Sequence, residues 1–151
     1  MADIVDRATR SRMMAGIRGK NTKPELVVRR ALHARGFRYR LHDPKVPGKP
    51  DVVLARFRAV VFVHGCFWHG HDCPLFRLPG TRREFWEAKI DRNRARDAEV
   101  AQALSERGWR HLTVWECAMR GPGRLPFEEL IDTVAGWLRS RGQVLEIRGA
   151  V

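Results

Sequence analysis

The three cysteines of the chain fall into one pattern with a histidine, and this pattern constrains the fold more than any other feature. Cys66, His71 and Cys73 lie in one short segment, and Cys117 follows much further along the chain. Three thiolates and one imidazole form the closed tetrahedral set that a structural Zn²⁺ prefers. The alternative is three buried free cysteines and a surface histidine. Because no cysteine lies in an apolar run, the sequence favours zinc and a loop stiffened by it.

The overall charge points to a polyanionic partner. Lys and Arg number 29 against 17 for Asp and Glu, which gives the 151-residue chain a formal charge of +12. No stretch approaches the roughly 20 apolar residues that a membrane span requires, and the N-terminus has no apolar signal core. An odd cysteine count is natural for a metal site in a reducing compartment. We therefore expect a cytoplasmic protein without a membrane partner.

Apolar periodicity predicts helices that alternate with strands. The predicted helices cover 22–36, 81–107 and 127–141, and the predicted strands cover 37–41, 51–54, 59–63 and 111–115. The β-branched runs at 51–54 and 59–63 are separated by only four residues, which predicts an antiparallel pair near the sheet centre. The pattern indicates an α/β or α+β fold, in which helices flank a small mixed sheet in three layers.

Two short segments have the residue spacing of a capping box at a helix start. Thr22 is followed three residues later by Glu25, and Thr81 is followed in the same way by Glu84. In a capping box, the Ser or Thr side chain and the Glu side chain bond reciprocally to backbone N–H groups of the first turn. This local role is the simplest interpretation of Glu25.

One carboxylate and two histidines are expected to meet at one edge of the sheet. Asp51 begins a strand, and the adjacent strand ends at His64 near the same edge. A carboxylate there can bind Mg²⁺, although Asp51 could also be a simple turn residue after Pro50. His64 and His69 are left over from a zinc site that already has four ligands. A free histidine can take a proton from a water beside a metal-bound phosphate, and otherwise it is a polar loop residue.

Aromatic residues and a basic N-terminal segment are also features that favour nucleic-acid binding. Phe67 and Trp68 follow Cys66 in a glycine-containing loop, and such rings can wedge between base pairs. Trp86, by contrast, fits core packing against the sheet. Residues 6–19 carry four arginines and are equally well interpreted as a solvated arm or as an arm that orders on DNA.

Several segments together resemble the very short patch repair (Vsr-type) mismatch endonucleases. They are Ala8–Ser11, Pro47–Asp51, His64–Cys73, Thr81–Trp86 and Trp115–Gly121. The resemblance covers about residues 3–140. It implies a restriction-endonuclease-like fold and an enzyme that nicks double-stranded DNA 5′ of the thymine in T:G mismatches left by 5-methylcytosine deamination. It further implies a monomer with a functional link to a cytosine-5 DNA methyltransferase.

The resemblance also implies catalytic roles for matching positions. Asp51 and the main-chain carbonyl of Val63 would hold Mg²⁺, with Val63 at a position where the family can have threonine. His69 would be the general base, His64 would lie beside the scissile phosphate, and Glu25 would be a supporting acid. The relative roles of the two histidines stay open.

The remaining implied roles concern zinc and DNA. Zinc would be held by Cys66, His71, Cys73 and Cys117, and the intercalating rings would be Phe67, Trp68 and Trp86. Met14, in the N-terminal arm, would contact the minor-groove side of the duplex. Gly70 stands where the family sometimes has histidine.

The predicted organisation is an N-terminal DNA-binding arm (1–20), a catalytic domain (21–142) and a C-terminal tail (143–151). Two other functions remain open at this point. One is a nuclease of the same fold whose specificity does not depend on a mismatch. The other is a non-catalytic, zinc-stabilised DNA-binding protein in which Asp51 is only a turn residue.

Overall fold

A mixed sheet of five strands forms the centre of residues 22–150, the part of the chain that this computed structural model describes. The strands are β1 (Arg40–Leu41), β2 (Val52–Leu54), β3 (Ala59–His64), β4 (Arg110–Trp115) and β5 (Val144–Ile147). The helices in this range are α1 (Lys23–Ala34), α2 (Arg83–Glu106) and α3 (Phe127–Leu138). The predicted α/β class and the mixed sheet with flanking helices are confirmed.

The strand order is also the chain order, but the strand direction changes at β3. The pairs β1–β2 and β2–β3 are antiparallel, whereas β3–β4 and β4–β5 are parallel. The helices α2 and α3 make the two crossovers that parallel strands require. The predicted antiparallel pair is confirmed, and its second strand, β3, is the central strand. The carboxyl end of β3 therefore reaches the same edge as the start of β2.

Alternating side chains of the sheet face two separate apolar layers. Val52 and Val61 pack with α1 and α3, in a cluster that includes Leu32 of α1 and Ile131 of α3. On the opposite face, a second cluster packs around Leu104 of α2. Full burial of each aliphatic side chain contributes on the order of 1.5–3 kcal/mol, so both layers stabilise the sheet that positions the site.

The edge strands differ from the prediction. Only Arg40 and Leu41 pair within the predicted strand 37–41, and both are exposed. The apolar alternation there arises because Phe37 packs into the core beside α1, while the Tyr39 hydroxyl donates to the carbonyl of Arg29. The predicted tail at 143–151 is wrong in part, because residues 144–147 form β5 and pair with β4.

The helix ends differ as well. Neither capping box forms, since the N-terminal caps Thr22 and Arg82 make no side-chain capping bond. Glu25 is instead buried and pairs with Arg29 at 2.8 Å. Helix α3 ends at Leu138, short of the predicted 141, where the Arg110 guanidinium binds the carbonyls of the last helical turn.

Two further points delimit the described structure. The predicted arm at residues 1–20, which includes Met14, lies outside the described residues. No helix between residues 22 and 150 combines the length and apolar character needed to cross a bilayer.

Candidate active site and metal centre

Four side chains from two parts of the chain converge as a candidate metal centre. The ligand atoms of Cys66, His71, Cys73 and Cys117 all lie within 4.8 Å of one another. The Nδ1 atom of His71 is 3.7 Å from the Cys66 sulfur and 3.6 Å from the Cys117 sulfur. A tetrahedral zinc with ordinary bond lengths places such a nitrogen and sulfur about 3.6 Å apart. The geometry therefore fits one tetrahedral ion.

The surroundings of this centre favour bound thiolates. The backbone N–H of Cys117 donates to the Cys66 sulfur, and that of Gly149 donates to the Cys117 sulfur, each at 3.3 Å. Burial raises the pKa of the Cys66 thiol, so an ion is needed to hold it as a thiolate. The His71 ring stacks on Trp115, with centroids 3.9 Å apart. Cys66, His71 and Cys117 are thus oriented by contacts other than those to a metal.

A cleft of about 1230 Å³ lies beside this centre, at the edge where β3 ends and β2 begins. It is lined by Asp51, His64, His69 and Glu25, and also by Phe67 and Trp68. The predicted catalytic residues therefore share one surface.

Asp51 is held in this cleft by the adjacent strand. Its Oδ2 atom accepts the backbone N–H of Val63 at 2.7 Å. Burial raises the pKa of Asp51 from its ordinary value of 3.8 to about 7, and the nearby Glu25 carboxylate adds to the effect. A carboxylate that is costly to ionise without a counter-charge is a suitable oxygen ligand for a divalent cation.

This raised pKa predicts an unusual pH dependence of stability. The folded Asp51 carboxyl keeps a proton that the unfolded chain releases, so the free energy of unfolding falls as pH rises from about 4 to about 7. Asp51→Asn removes this ionisation and should raise the free energy of unfolding at pH 8 by roughly 2–4 kcal/mol. Urea unfolding at pH 5 and pH 8, with zinc retained and no added Mg²⁺, measures it. Equal pH slopes for the two proteins would contradict the prediction.

Glu25 and His42 lie next to Asp51 in the cleft. Glu25 is 1% exposed, and its Oε2 lies 2.8 Å from Arg29 and 2.9 Å from Nε2 of His42. The same nitrogen is 3.8 Å from Oδ1 of Asp51. Sequence analysis missed His42, because a single histidine in a turn rich in proline carries no periodic or motif signal.

The two histidines of the cleft form a stacked pair. The rings of His64 and His69 lie 3.7 Å apart and are nearly parallel. Burial lowers the pKa of His64 well below its ordinary value, and the neighbouring His69 lowers it further, so His64 is neutral at pH 7. Within residues 22–150, Nδ1 of His64 has no hydrogen-bond partner. His69 is better placed for proton transfer, because its ring has a carboxylate partner.

That partner is Asp97 of α2. Its Oδ2 atom lies 2.6 Å from Nδ1 of His69. A carboxylate in this position fixes the ring orientation and stabilises an imidazolium that forms when the opposite nitrogen takes a proton. Sequence analysis missed Asp97, which is one of many charged residues on a long, mostly exposed helix.

Asp97→Asn should slow the DNA cleavage that the sequence resemblance implies by about 10–10²-fold, because the amide still orients His69 but carries no charge to stabilise the imidazolium. Single-turnover rates on a DNA substrate, measured from pH 6 to pH 9, test this. Asp91→Asn, on the same helix but exposed, is the matched control. An unchanged rate across the pH range would exclude the His69–Asp97 pair from the reaction.

The same face of α2 also holds the loop backbone on either side of His69. The Asn93 side chain donates to the carbonyl of Trp68 at 2.8 Å, and the Arg94 guanidinium donates to the carbonyl of Gly70. Gly70 has a φ of +60°, and a Cβ there would lie 2.5 Å from Cγ2 of Ile90 and still closer to Arg94. Glycine is therefore required at position 70 in this chain.

The predicted aromatic residues form one cluster at the rim of the cleft. The ring centroids of Phe67, Trp68 and Trp86 are 5.1–5.8 Å apart. All three side chains are partly exposed. Trp86 lies outside the apolar clusters that cover the sheet, so the core-packing interpretation of Trp86 is wrong. Trp86 lies in the first turn of α2, whereas Phe67 and Trp68 lie in the loop that carries Cys66 and His71.

Comparison with known proteins places the chain in a class of enzyme. It is 46% identical, over 83% of its length, to the type II nicking enzyme V.XorIIP of Xanthomonas oryzae, of which 92% is covered. It is 43% identical, over 80% of its length, to the type II nicking enzyme V.NmeAIP of Neisseria meningitidis, of which 86% is covered. Together with the cleft, these similarities define the chain as a DNA endonuclease, a hydrolase.

The family follows from two further matches. Residues 2–75 match the family model described as DNA mismatch endonuclease Vsr. The chain is also 44% identical, over 97% of its length, to DNA mismatch endonuclease Vsr of Escherichia coli, of which 94% is covered. The chain therefore belongs to the Vsr family, and the resemblance seen in the sequence is confirmed.

Proposed function

We propose that this endonuclease nicks one strand of double-stranded DNA, 5′ of the thymine in a T:G mismatch, in a Mg²⁺-dependent reaction. One observation carries the proposal: a single cleft brings together Asp51, the His64–His69 pair, and Phe67 and Trp68 of the aromatic cluster. The family membership supports the mismatch substrate. We assign the sheet to the restriction-endonuclease-like fold, with an arm at 1–20 and the catalytic domain beginning at 21.

The metal requirement rests on the donor atoms at the strand edge. Asp51 and the main-chain carbonyl of Val63 are the hard oxygen ligands that Mg²⁺ prefers, and Glu25 lies beside them. When bound there, the ion would polarise the scissile phosphate and stabilise the charge that develops on it. The buried Asp51 carboxyl fits this role, since a cation offsets its cost of ionisation.

Proton transfer is assigned to the histidine pair. His69 takes the proton of the attacking water, while Asp97 holds the ring and stabilises its charged form. His64 stays neutral, supports the His69 ring by stacking and lies beside the phosphate. Cleavage leaves a 5′-phosphate and a 3′-hydroxyl.

Recognition is assigned to the aromatic cluster and the arm. Phe67, Trp68 and Trp86 insert beside the mismatch, at a cost of about a few kcal/mol of unstacking that is lowest at a mispaired step. Met14 in the arm contacts the minor-groove side. A structural Zn²⁺ at Cys66, His71, Cys73 and Cys117 stiffens the loop that carries two of the rings. The enzyme acts as a monomer, and its function is linked to that of a cytosine-5 DNA methyltransferase.

Two duplexes that differ in one base pair test this function. A T:G duplex should be nicked on the thymine strand only, with Mg²⁺, at least about 10²-fold faster than the matched C:G duplex. Equal nicking of both duplexes would replace it with the second candidate, a nicking enzyme whose specificity does not depend on a mismatch; the names of the type II nicking relatives state nicking and mention no mismatch. Tight binding without nicking of either duplex would leave only a DNA-binding protein.

A further inference from the structure

The turn between β1 and β2 places a nitrogen donor among the acids of the cleft. The ligand atoms of Glu25, His42 and Asp51 all lie within 4.8 Å of one another. His42 reaches this position because its backbone is held in the turn, where its φ is +48° and its N–H donates to the carbonyl of Pro50 at 3.1 Å. A histidine in this turn is thus directed at the carboxylates by the backbone itself.

The distances fit coordination to one ion. Nε2 of His42 is 2.9 Å from Oε2 of Glu25 and 3.8 Å from Oδ1 of Asp51. For ligand bonds of about 2.1 Å, these separations correspond to angles of about 90° and about 130° at a shared ion. Within residues 22–150, Nε2 of His42 is buried and has no aligned hydrogen-bond partner, although Glu25 is near.

The carboxyl groups around His42 also suit a cation. Those of Glu25 and Asp51 both approach Nε2 of His42, and the Arg29 guanidinium contacts the first of them. The two Asp51 oxygens face different groups, because Oδ2 accepts the Val63 N–H while Oδ1 faces His42. One carboxylate can therefore serve two neighbouring ions.

We propose that Glu25, His42 and Asp51 form a second cation site, beside the Mg²⁺ site assigned to Asp51 and Val63, and that it prefers a first-row transition ion to Mg²⁺. Imidazole nitrogen binds first-row transition ions readily, whereas Mg²⁺ is bound mainly by oxygen and keeps several waters. The inference rests on the proposed function, since it assigns the metal preference of the same cleft. The rival explanation is that His42 is only a charged partner of Glu25.

Binding of Mn²⁺ to the full-length, zinc-loaded chain without DNA tests the site. Electron paramagnetic resonance should show a bound Mn²⁺ whose pulsed spectrum carries the ¹⁴N modulation of a coordinated imidazole. His42→Gln should remove this modulation and weaken Mn²⁺ binding by about 10-fold or more. Mg²⁺ affinity, measured by competition with Mn²⁺ in both proteins, should change by less than about threefold, because the amide oxygen replaces the lost donor.

Two matched variants control the measurement. His33→Gln alters an exposed histidine of α1 and should leave the modulation unchanged. His69→Gln alters another histidine that lines the cleft and should also leave the modulation unchanged. Retained zinc content and an unchanged circular dichroism spectrum show that each variant is folded.

Several results would overturn the proposal. They are wild-type protein without ¹⁴N modulation, modulation that persists in His42→Gln, modulation lost in His69→Gln, or equal weakening of Mn²⁺ and Mg²⁺ in His42→Gln. The last result would identify His42 as a charged partner of Glu25. Mg²⁺-dependent nicking of T:G duplex is measured separately on the wild type, so a failure of this inference is distinguishable from a failure of the proposed function.

Discussion

Asp51→Asn is expected to abolish nicking of a T:G duplex while the protein stays folded and still binds that duplex. The substitution keeps an oxygen that can accept the Val63 N–H, so the local backbone is preserved. It removes the negative charge that holds the cation, and metal stabilisation of a phosphoryl transition state contributes several kcal/mol. A rate loss of about 10³-fold or more follows.

Single-turnover nicking with saturating enzyme measures this loss without interference from product release. Duplex affinity and zinc content should match the wild type, which separates a chemical defect from misfolding. Asp91→Asn is again the control, because Asp91 is exposed on α2. A variant at position 51 that nicks within about tenfold of the wild-type rate would remove Asp51 from the metal site.

Loss of the metal centre is expected to have the second largest effect. Cys66→Ser should release zinc, lower the free energy of unfolding by several kcal/mol and eliminate nicking, because zinc binding and folding share one free energy. Cys66 is fully buried, so the variant leaves an uncoordinated hydroxyl beside the thiols of Cys73 and Cys117. The loop that carries Phe67, Trp68 and His69 then loses its anchor.

Zinc content per chain, urea unfolding and T:G nicking, measured on the same preparation, test this prediction. In the wild type, a chelator should reproduce the defect, and Zn²⁺ but not Mg²⁺ should restore stability. Stoichiometric zinc and wild-type stability in Cys66→Ser would exclude Cys66 as a ligand.

The sheet centre was predictable from sequence, whereas its edges were not. The runs at β2 and β3 are β-branched, apolar and close together, so local pattern determines both their state and their pairing. Strand β1 has two exposed residues, and β5 has mixed exposure. Their pairing depends on the neighbouring strand, which no local pattern records.

The candidate site also has parts that were predictable from sequence and parts that were not. Three of the four candidate zinc ligands, Cys66, His71 and Cys73, are close in sequence, and Cys117 had no other evident partner. The set of ligands was therefore predictable. The His69–Asp97 pair spans 28 residues and depends on the path of α2 across the loop. Glu25 has the spacing of a capping box, yet burial beside Arg29 and His42 gives it a different environment. Tertiary contacts override local signals at these positions.

In the proposed mechanism, helix α2 connects mismatch recognition to hydrolysis. Trp86 in its first turn belongs to the aromatic cluster, and Asp97, three turns later, contacts His69, the proposed base. A sub-ångström shift of the helix axis would move both together, and rates depend steeply on such displacements. Engineering of a new mismatch preference should therefore substitute Phe67 and Trp68. The residues of α2 that contact residues 68–70 should be kept.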